Sequence, residues 1–238
     1  MHEYYRINAE KINKKNCKMV KYIAPELEKL TGKEFDDIWK EIRTVYEEEL
    51  MDKFPYIGGD DVSGTGNLTG AYAFVAMGEV LKKYGVSMEE TGHLMVLSYS
   101  RMYEAYPGIV KFAMSKMFNS TKILTKMMVK KDASNAANAA KNPGSFETKT
   151  QIPPSEGYSF SYHNLVCPLS DFAKKHGYTE YMPYLCNLDY VMFGALNVPL
   201  YRTHTCFEDG DYCDFNLKAG SPCLNAWPVV SKQGQGYK

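Results

Sequence analysis

Ser145-Phe146-Glu147-Thr148-Lys149-Thr150-Gln151-Ile152 is where the chain changes its hydrophobic period. Phe146, Thr148, Thr150 and Ile152 alternate with charged and polar residues, which is the two-residue repeat of a strand with one buried face. Pro153-Pro154 ends it, and Tyr158, Phe160 and Tyr162 alternate against Ser159, Ser161 and His163 in a second strand over 158–165. Upstream the period is helical. In residues 34–50, Phe35, Ile38, Trp39, Ile42, Val45 and Tyr46 recur at i, i+3, i+4 and i+7. A helix over 7–23 is expected to stop at Pro25, with Lys11, Lys14, Lys15, Lys18 and Lys21 on a solvated face. Asn67 is expected to cap a helix running to about 84, and Ser87-Met88-Glu89-Glu90 is a capping box opening one that breaks at Pro107-Gly108. Shorter helices are expected over 109–118 and 120–131, and the Asn- and Ala-rich stretch 132–144 reads as a loose helix end or mobile loop.

Downstream, helices are expected over 168–176 and 183–196, then strands over 200–207 and 211–217. Helices first and strands later specify α+β: a helical N-terminal half packed on a small antiparallel sheet formed by the C-terminal half. No low-complexity linker divides the 238 residues, so one domain is expected, with 1–140 mainly helical, 145–218 carrying the site and 219–238 a tail.

Lys plus Arg and Asp plus Glu both number 28, which removes any global electrostatic case for nucleic acid or an anionic membrane as partner. The N-terminus has no apolar stretch behind it, and the run 71–81 is interrupted by Gly78 and Glu79, so neither a signal peptide nor a membrane span is expected. The expected setting is cytoplasmic and the expected partner a small-molecule substrate, with self-association into a homo-oligomer left open. Six cysteines without a C-x-x-C pair match neither a disulfide scaffold nor a zinc motif, and no cofactor or metal is expected. Five of the six follow residue 166, which concentrates thiol chemistry in the C-terminal part.

There, Glu208-Asp209-Gly210-Asp211 signals a hairpin. With Asp209-Gly210 as a two-residue loop, Cys206 faces Cys213, His204 faces Phe215 and Thr205 faces Asp214. One face then carries Arg202, His204, Cys206, Cys213 and Phe215; the other carries Thr203, Thr205, Asp214 and Asn216. Cys213 and Asp214 thus point to opposite sides. Cys186 and Asp189, three apart on a helix, share a face, and a buried Asp there needs a partner such as Arg202 or a substrate cation. Cys167 opens a helix, where a thiol pKa is expected to fall, and His163 could serve it as base. The Gly58-Gly59 loop could hold a carboxylate on backbone N–H groups.

Taken in order, Pro55-Tyr56-Ile57-Gly58-Gly59, Lys83 to Glu90, Cys167-Pro168, Cys186-x-x-Asp189, Tyr201-Arg202-Thr203-x-Thr205 and Gly210-x-x-Cys213-Asp214-Phe215 resemble the L-2-amino-thiazoline-4-carboxylic acid hydrolase family over roughly residues 35–218. The family tends to end the last motif in Arg, where this chain has Asn216. The resemblance implies a hydrolase acting on a non-peptide carbon–nitrogen or carbon–sulfur bond of a cyclic amidine or isothiourea. It implies Cys213 or Cys186 as nucleophile, Asp189 or Asp214 as base or amidinium ligand, and Arg202 or Gly58-Gly59 as carboxylate holder, with Thr203 and Thr205 also in the binding set. Two other readings stand beside it: a non-catalytic small-molecule binding or sensor domain, and a metal site built from His163, Cys167, His204 and Cys206 or Cys213.

Overall fold

The computed structural model describes residues 1–62, 64–232 and 235–236. Helix α1 (Glu3–Val20) buries Tyr5, Ile12, Met19 and Val20 and leaves its lysines in solvent, as amphipathic spacing demands. Pro25 does not end a helix. It sits in the first turn of α2 (Ala24–Thr31), where its missing N–H costs nothing, and Gly32 in the left-handed region closes that helix. Helix α3 (Phe35–Thr44) continues into a π-helical run, Val45–Leu50. Helix α4 (Gly64–Lys83) begins three residues before the expected cap, and α5 (Met88–Glu104) is capped by the Ser87 side chain, which accepts from Glu90 N. Helix α6 (Gly108–Phe118) buries none of its residues.

Helix α7 (Thr121–Ala139) runs through most of the stretch read as a loose end or loop. Long-range hydrogen bonds explain it. Asp132 accepts from Thr148 Oγ1 and Thr150 N, both at 2.7 Å, Asn135 donates to Thr148 Oγ1 at 3.0 Å and Asn138 donates to Ile57 O at 2.9 Å. Polar residues that look like loop chemistry are here spent fastening a helix to strand β1 (Glu147–Thr150).

Strands β1, β2 (Phe160–Val166), β4 (Cys213–Leu217) and β3 (Leu200–Tyr201) form one antiparallel sheet in the order β1-β2-β4-β3. The α+β architecture is as the periodicity requires. Helices α8 (Pro168–His176) and α9 (Met182–Ala195) connect β2 to β3. The last hairpin differs from expectation. Leu200 pairs Leu217 and Tyr201 pairs Asn216, two residues away from the expected register, and the ladder stops there. Two carboxylates cause this. Asp214 accepts from the N–H groups of Thr203 and His204, and Asp209 accepts from Thr205 N while its own N–H donates to Thr205 O, winding 205–209 into a tight turn instead of a strand. A two-residue slip preserves parity, so Arg202, Cys213 and Phe215 face inward while Thr203, Asp214 and Asn216 face outward. His204 breaks the pattern: it stacks on Tyr212, which also stacks on His163 of the outer face.

Helix α9 packs on α5 at a small residue, and the turn before α9 packs on α4 at another. Gly92 of α5 receives Tyr184 and Gly78 of α4 receives Tyr181, each so closely that a Cβ would enter the ring. One apolar cluster joins α1 to α5 with α8 and the start of α9; a second joins α7, the end of α9 and the inner face of the sheet. The segment after β4 returns over α9, with Asn187 donating to Ala226 O and Trp227 against His93, before a short pairing of β5 (Val230–Lys232) with β6 (Gln235–Gly236). Part of the expected tail, residues 233, 234, 237 and 238, lies outside the described residues. Among the described residues, no helix is long and apolar enough to cross a membrane.

Candidate active site

A cavity of about 430 Å³ opens where the two apolar clusters meet. Its walls come from α1, α4, α5, α7, α8, α9, β1, β2 and β4. Cys186, Asp189, Arg202 and Cys213 all reach it, so the structure gathers four of the expected site residues at one space.

Arg202 follows β3 and turns inward under α9. Only 1% of its surface is exposed. Its guanidinium donates to Asp189 Oδ2 at 3.0 Å and to Cys186 O at 2.6 Å, and lies between the rings of Tyr190 and Phe215 at 5.1 and 5.3 Å. An arginine cannot shed its charge, so burial obliges an anion beside it, and Asp189 is that anion. Asp189 is half-buried, with 36% of its side chain open. The space it is open to is the cavity. Burial pushes its carboxyl above the usual range, while Arg202 and Lys131 pull it back. Its second oxygen, Oδ1, accepts no hydrogen bond among the described residues.

Of the six thiols, Cys213 alone is shifted below the ordinary thiol value; the other five are raised. The Cys206 thiol beside Cys213 Sγ is the largest cause, the Cys206 N–H at 3.2 Å adds to it, and Arg202 helps, all against the cost of burial. The asymmetry of this buried pair is set by backbone. An N–H aims at Cys213 Sγ, whereas Cys206 Sγ lies 3.5 Å from the carbonyl of Asn164, which favours a protonated Cys206. Cys167 does not show the lowered pKa its helix N-terminus suggested. Burial outweighs the N–H groups of Leu169 and Ser170 and pushes the thiol up to about 12. Burial also raises Cys186 well above the ordinary thiol value.

The remaining expected residues lie elsewhere. Asp214 is 4% exposed and faces away from the cavity. Its carboxylate is occupied by Thr203 N and Oγ1, His204 N and Asn216 Nδ2 at 2.6–3.0 Å. Thr205 is not opposite Asp214; its hydroxyl donates to Glu208 at 3.0 Å. Neither Thr203 nor Thr205 lines the cavity. Gly58 and Gly59 also stand off it, because the Asn138 and Tyr4 side chains already fill the hollow of that loop. Asn216 donates to Asp214 on the outer face, so an arginine there would sit away from the cavity. His163 stacks on Tyr212 outside the sheet, opposite to Cys167, and this separation also divides the proposed metal ligands. Among the described residues no group of three or more His, Cys, Asp or Glu side chains is placed to hold a metal ion.

Sequence reasoning missed Lys131, Asn164 and Tyr162. Lys131 lines the cavity from α7 and is still exposed, with desolvation by the surrounding protein lowering its pKa against the pull of Asp132 and Asp189. In sequence it is one lysine among several at the end of a helix. Asn164 and Tyr162 line it from β2, where Asn164 pairs Cys213 and Tyr162 stacks on Phe215 at 4.6 Å. The alternation of β2 with Phe160 and Tyr162 on one face was the available signal.

No curated protein and no solved structure matches the chain. A family model does, and the earlier motifs at 55–59 and 83–90 fall outside its match. Residues 98–217, about half the chain and the stretch that carries Lys131, Cys186, Asp189, Arg202 and Cys213, match the model of the L-2-amino-thiazoline-4-carboxylic acid hydrolase family, and the chain belongs to that family.

Proposed function

We propose that the chain is a hydrolase that opens a small cyclic amidine or isothiourea, with Cys213 as nucleophile and Asp189 as ligand of the cationic head. The observation that carries the reading is the Cys206 N–H donated to Cys213 Sγ at the wall of the cavity that Asp189 shares. A thiolate held by a fixed donor is a nucleophile at neutral pH. The open Oδ1 of Asp189 suits an amidinium N–H, since a charge-assisted hydrogen bond there would not disturb the Oδ2 contact with Arg202.

In this scheme Cys213 Sγ bonds to the amidinium carbon and the carbon–nitrogen π pair moves onto nitrogen. That pair returns and expels the ring sulfur as a thiolate, or the ring nitrogen as an amine once it has taken a proton from solvent. Water then adds to the same carbon, gives one proton to the departed group and the other to Asp189 Oδ1, and Cys213 leaves as thiolate. Asp189 returns its proton to solvent, so one water is consumed, one ring bond is broken and the enzyme is regenerated. Asp214 acts as a positioning residue: by gathering Thr203 and His204 it sets the turn that brings Cys206 to Cys213.

The test is turnover of L-2-amino-thiazoline-4-carboxylate, followed by release of thiol and of amine. Cys213→Ser is expected to lower kcat by at least about 100-fold with an unchanged melting temperature; undiminished turnover refutes the assignment. Asp214→Asn should lower kcat and slow alkylation of Cys213 together, and loss of turnover with normal Cys213 reactivity would give Asp214 a direct chemical part instead. Binding by the wild type without product would identify a non-catalytic binding domain.

A further inference from the structure

We propose that Lys131 is the anion anchor of the cavity, holding a carboxylate on the substrate whose cationic head meets Asp189. The inference rests on reading the cavity as the hydrolase site, and it assigns the end of the substrate that the nucleophile does not touch.

Three observations carry it. First, the groups expected to hold an anion are spent or elsewhere. Arg202 gives one nitrogen to Asp189 and another to the Cys186 carbonyl, and its Nε is sealed from the cavity; Gly58 and Gly59 do not reach it. Second, Lys131 reaches the cavity with no hydrogen bond and no ion pair among the described residues. The adjacent carboxylate, Asp132, is committed to Thr148 Oγ1 and Thr150 N on β1. The charges of Asp189 and Arg202 offset each other. Lys15 also lines the cavity, from α1, but of the two lysines Lys131, exposed and unpaired among the described residues, is the one whose charge reaches Asp189.

Third, the sheet puts these groups in order along the cavity. Thr148 on β1 pairs with Asn164 on β2, and Asn164 pairs with Cys213 on β4, while α7 is fastened to β1 through Asp132 and Asn135. Lys131 of α7 therefore lies at the β1 end of the cavity, two strands from the nucleophile. A bound molecule would set its reacting carbon by Cys213, its cationic nitrogen at Asp189 and its anion at Lys131. Asn135, one helical turn along α7, and Thr148 make that end of the wall polar, and their mutual hydrogen bond at 3.0 Å holds it in place. The cavity thus takes a small zwitterion in a single orientation.

The experiment compares L-2-amino-thiazoline-4-carboxylate with 2-amino-2-thiazoline, the same ring without its carboxylate, on wild type, Lys131→Met and Lys131→Arg. The wild type is expected to prefer the carboxylate in kcat/KM, and Lys131→Met to reduce that preference by about 10- to 100-fold, mostly through KM, while Lys131→Arg restores part of it. An unchanged preference in a folded Lys131→Met protein overturns the inference. If the wild type turns over neither ring, the hydrolase reading has failed and Lys131 is judged by alkylation. The ratio of iodoacetate to iodoacetamide rates at Cys213 should then fall by about 3- to 10-fold in Lys131→Met. A ratio equal to that of wild type overturns the anchor as well.

Discussion

Replacing Cys206 by alanine tests the electrostatics of the site without needing its substrate. The Cys206 thiol has one proton and two acceptors within reach, the Asn164 carbonyl at 3.5 Å and Cys213 Sγ. Once Cys213 ionises, the charged acceptor wins. A hydrogen bond to a charged group contributes about 1.5–3 kcal/mol, and a thiol is a weak donor, so the lower end applies. At about 1.4 kcal/mol per pH unit, removing the thiol should raise the Cys213 pKa by about one unit. The Cys206 N–H at 3.2 Å survives the substitution and keeps the rise from going further. The assay is the rate of iodoacetamide alkylation of Cys213 against pH, with the modified residue identified by mass spectrometry. The wild-type midpoint is expected below that of an ordinary thiol. Cys206→Ala should move it up by about one unit and Cys206→Ser, which keeps a donor, should leave it low. Sign and window follow from a depressed folded pKa. The ionised thiol stabilises the fold above the unfolded thiol pKa, and that stability is lost as pH falls through the folded pKa. An unchanged midpoint in Cys206→Ala, or a wild-type Cys213 no more reactive than the other thiols, would refute the reasoning.

Asp189→Asn leaves the 1%-exposed Arg202 guanidinium without its anion. Breaking a buried pair costs about 3–5 kcal/mol, but asparagine still accepts a hydrogen bond and the cavity admits water, so a loss of about 2–3 kcal/mol is expected. In a chain of this size that lowers Tm by roughly 5–10 °C. Arg202→Met in the same protein should recover part of it, and an Asp189→Asn protein as stable as wild type by urea unfolding would contradict the pairing. Gly92→Ala gains about 1 kcal/mol of helix propensity but drives a methyl into Tyr184 across the α5–α9 contact, which costs about 1–3 kcal/mol. A net loss near 1 kcal/mol is expected in urea, together with weaker substrate binding because α9 carries Cys186 and Asp189; equal or greater stability would mean that Tyr184 swings aside freely.

What the sequence by itself determined is whatever depends on near neighbours along the chain. The 3.6-residue spacing of Phe35, Ile38, Ile42 and Val45, and the alternation around Thr148 and Tyr162, settled helix against strand, because amphipathic burial is written locally. The three-residue step from Cys186 to Asp189 put both on one face of a helix, and alternation separated Cys213 from Asp214 even though the register was two residues off. Tertiary structure alone decided the rest. Helix α7 outlasts its apolar pattern because Asp132, Asn135 and Asn138 bond to distant strand and loop groups. Asp214 turned out to organise a backbone turn, and the Gly58-Gly59 hollow was already filled by side chains from Asn138 and Tyr4. Which thiol ionises depends on one N–H aimed across the turn at Cys213 and on the burial of the others. Lys131 became a site residue only because a helix from one part of the chain faces Asp189 from another across an open cavity. Acidity and cavity shape are sums over neighbours brought together by folding, so they have no local signature to read.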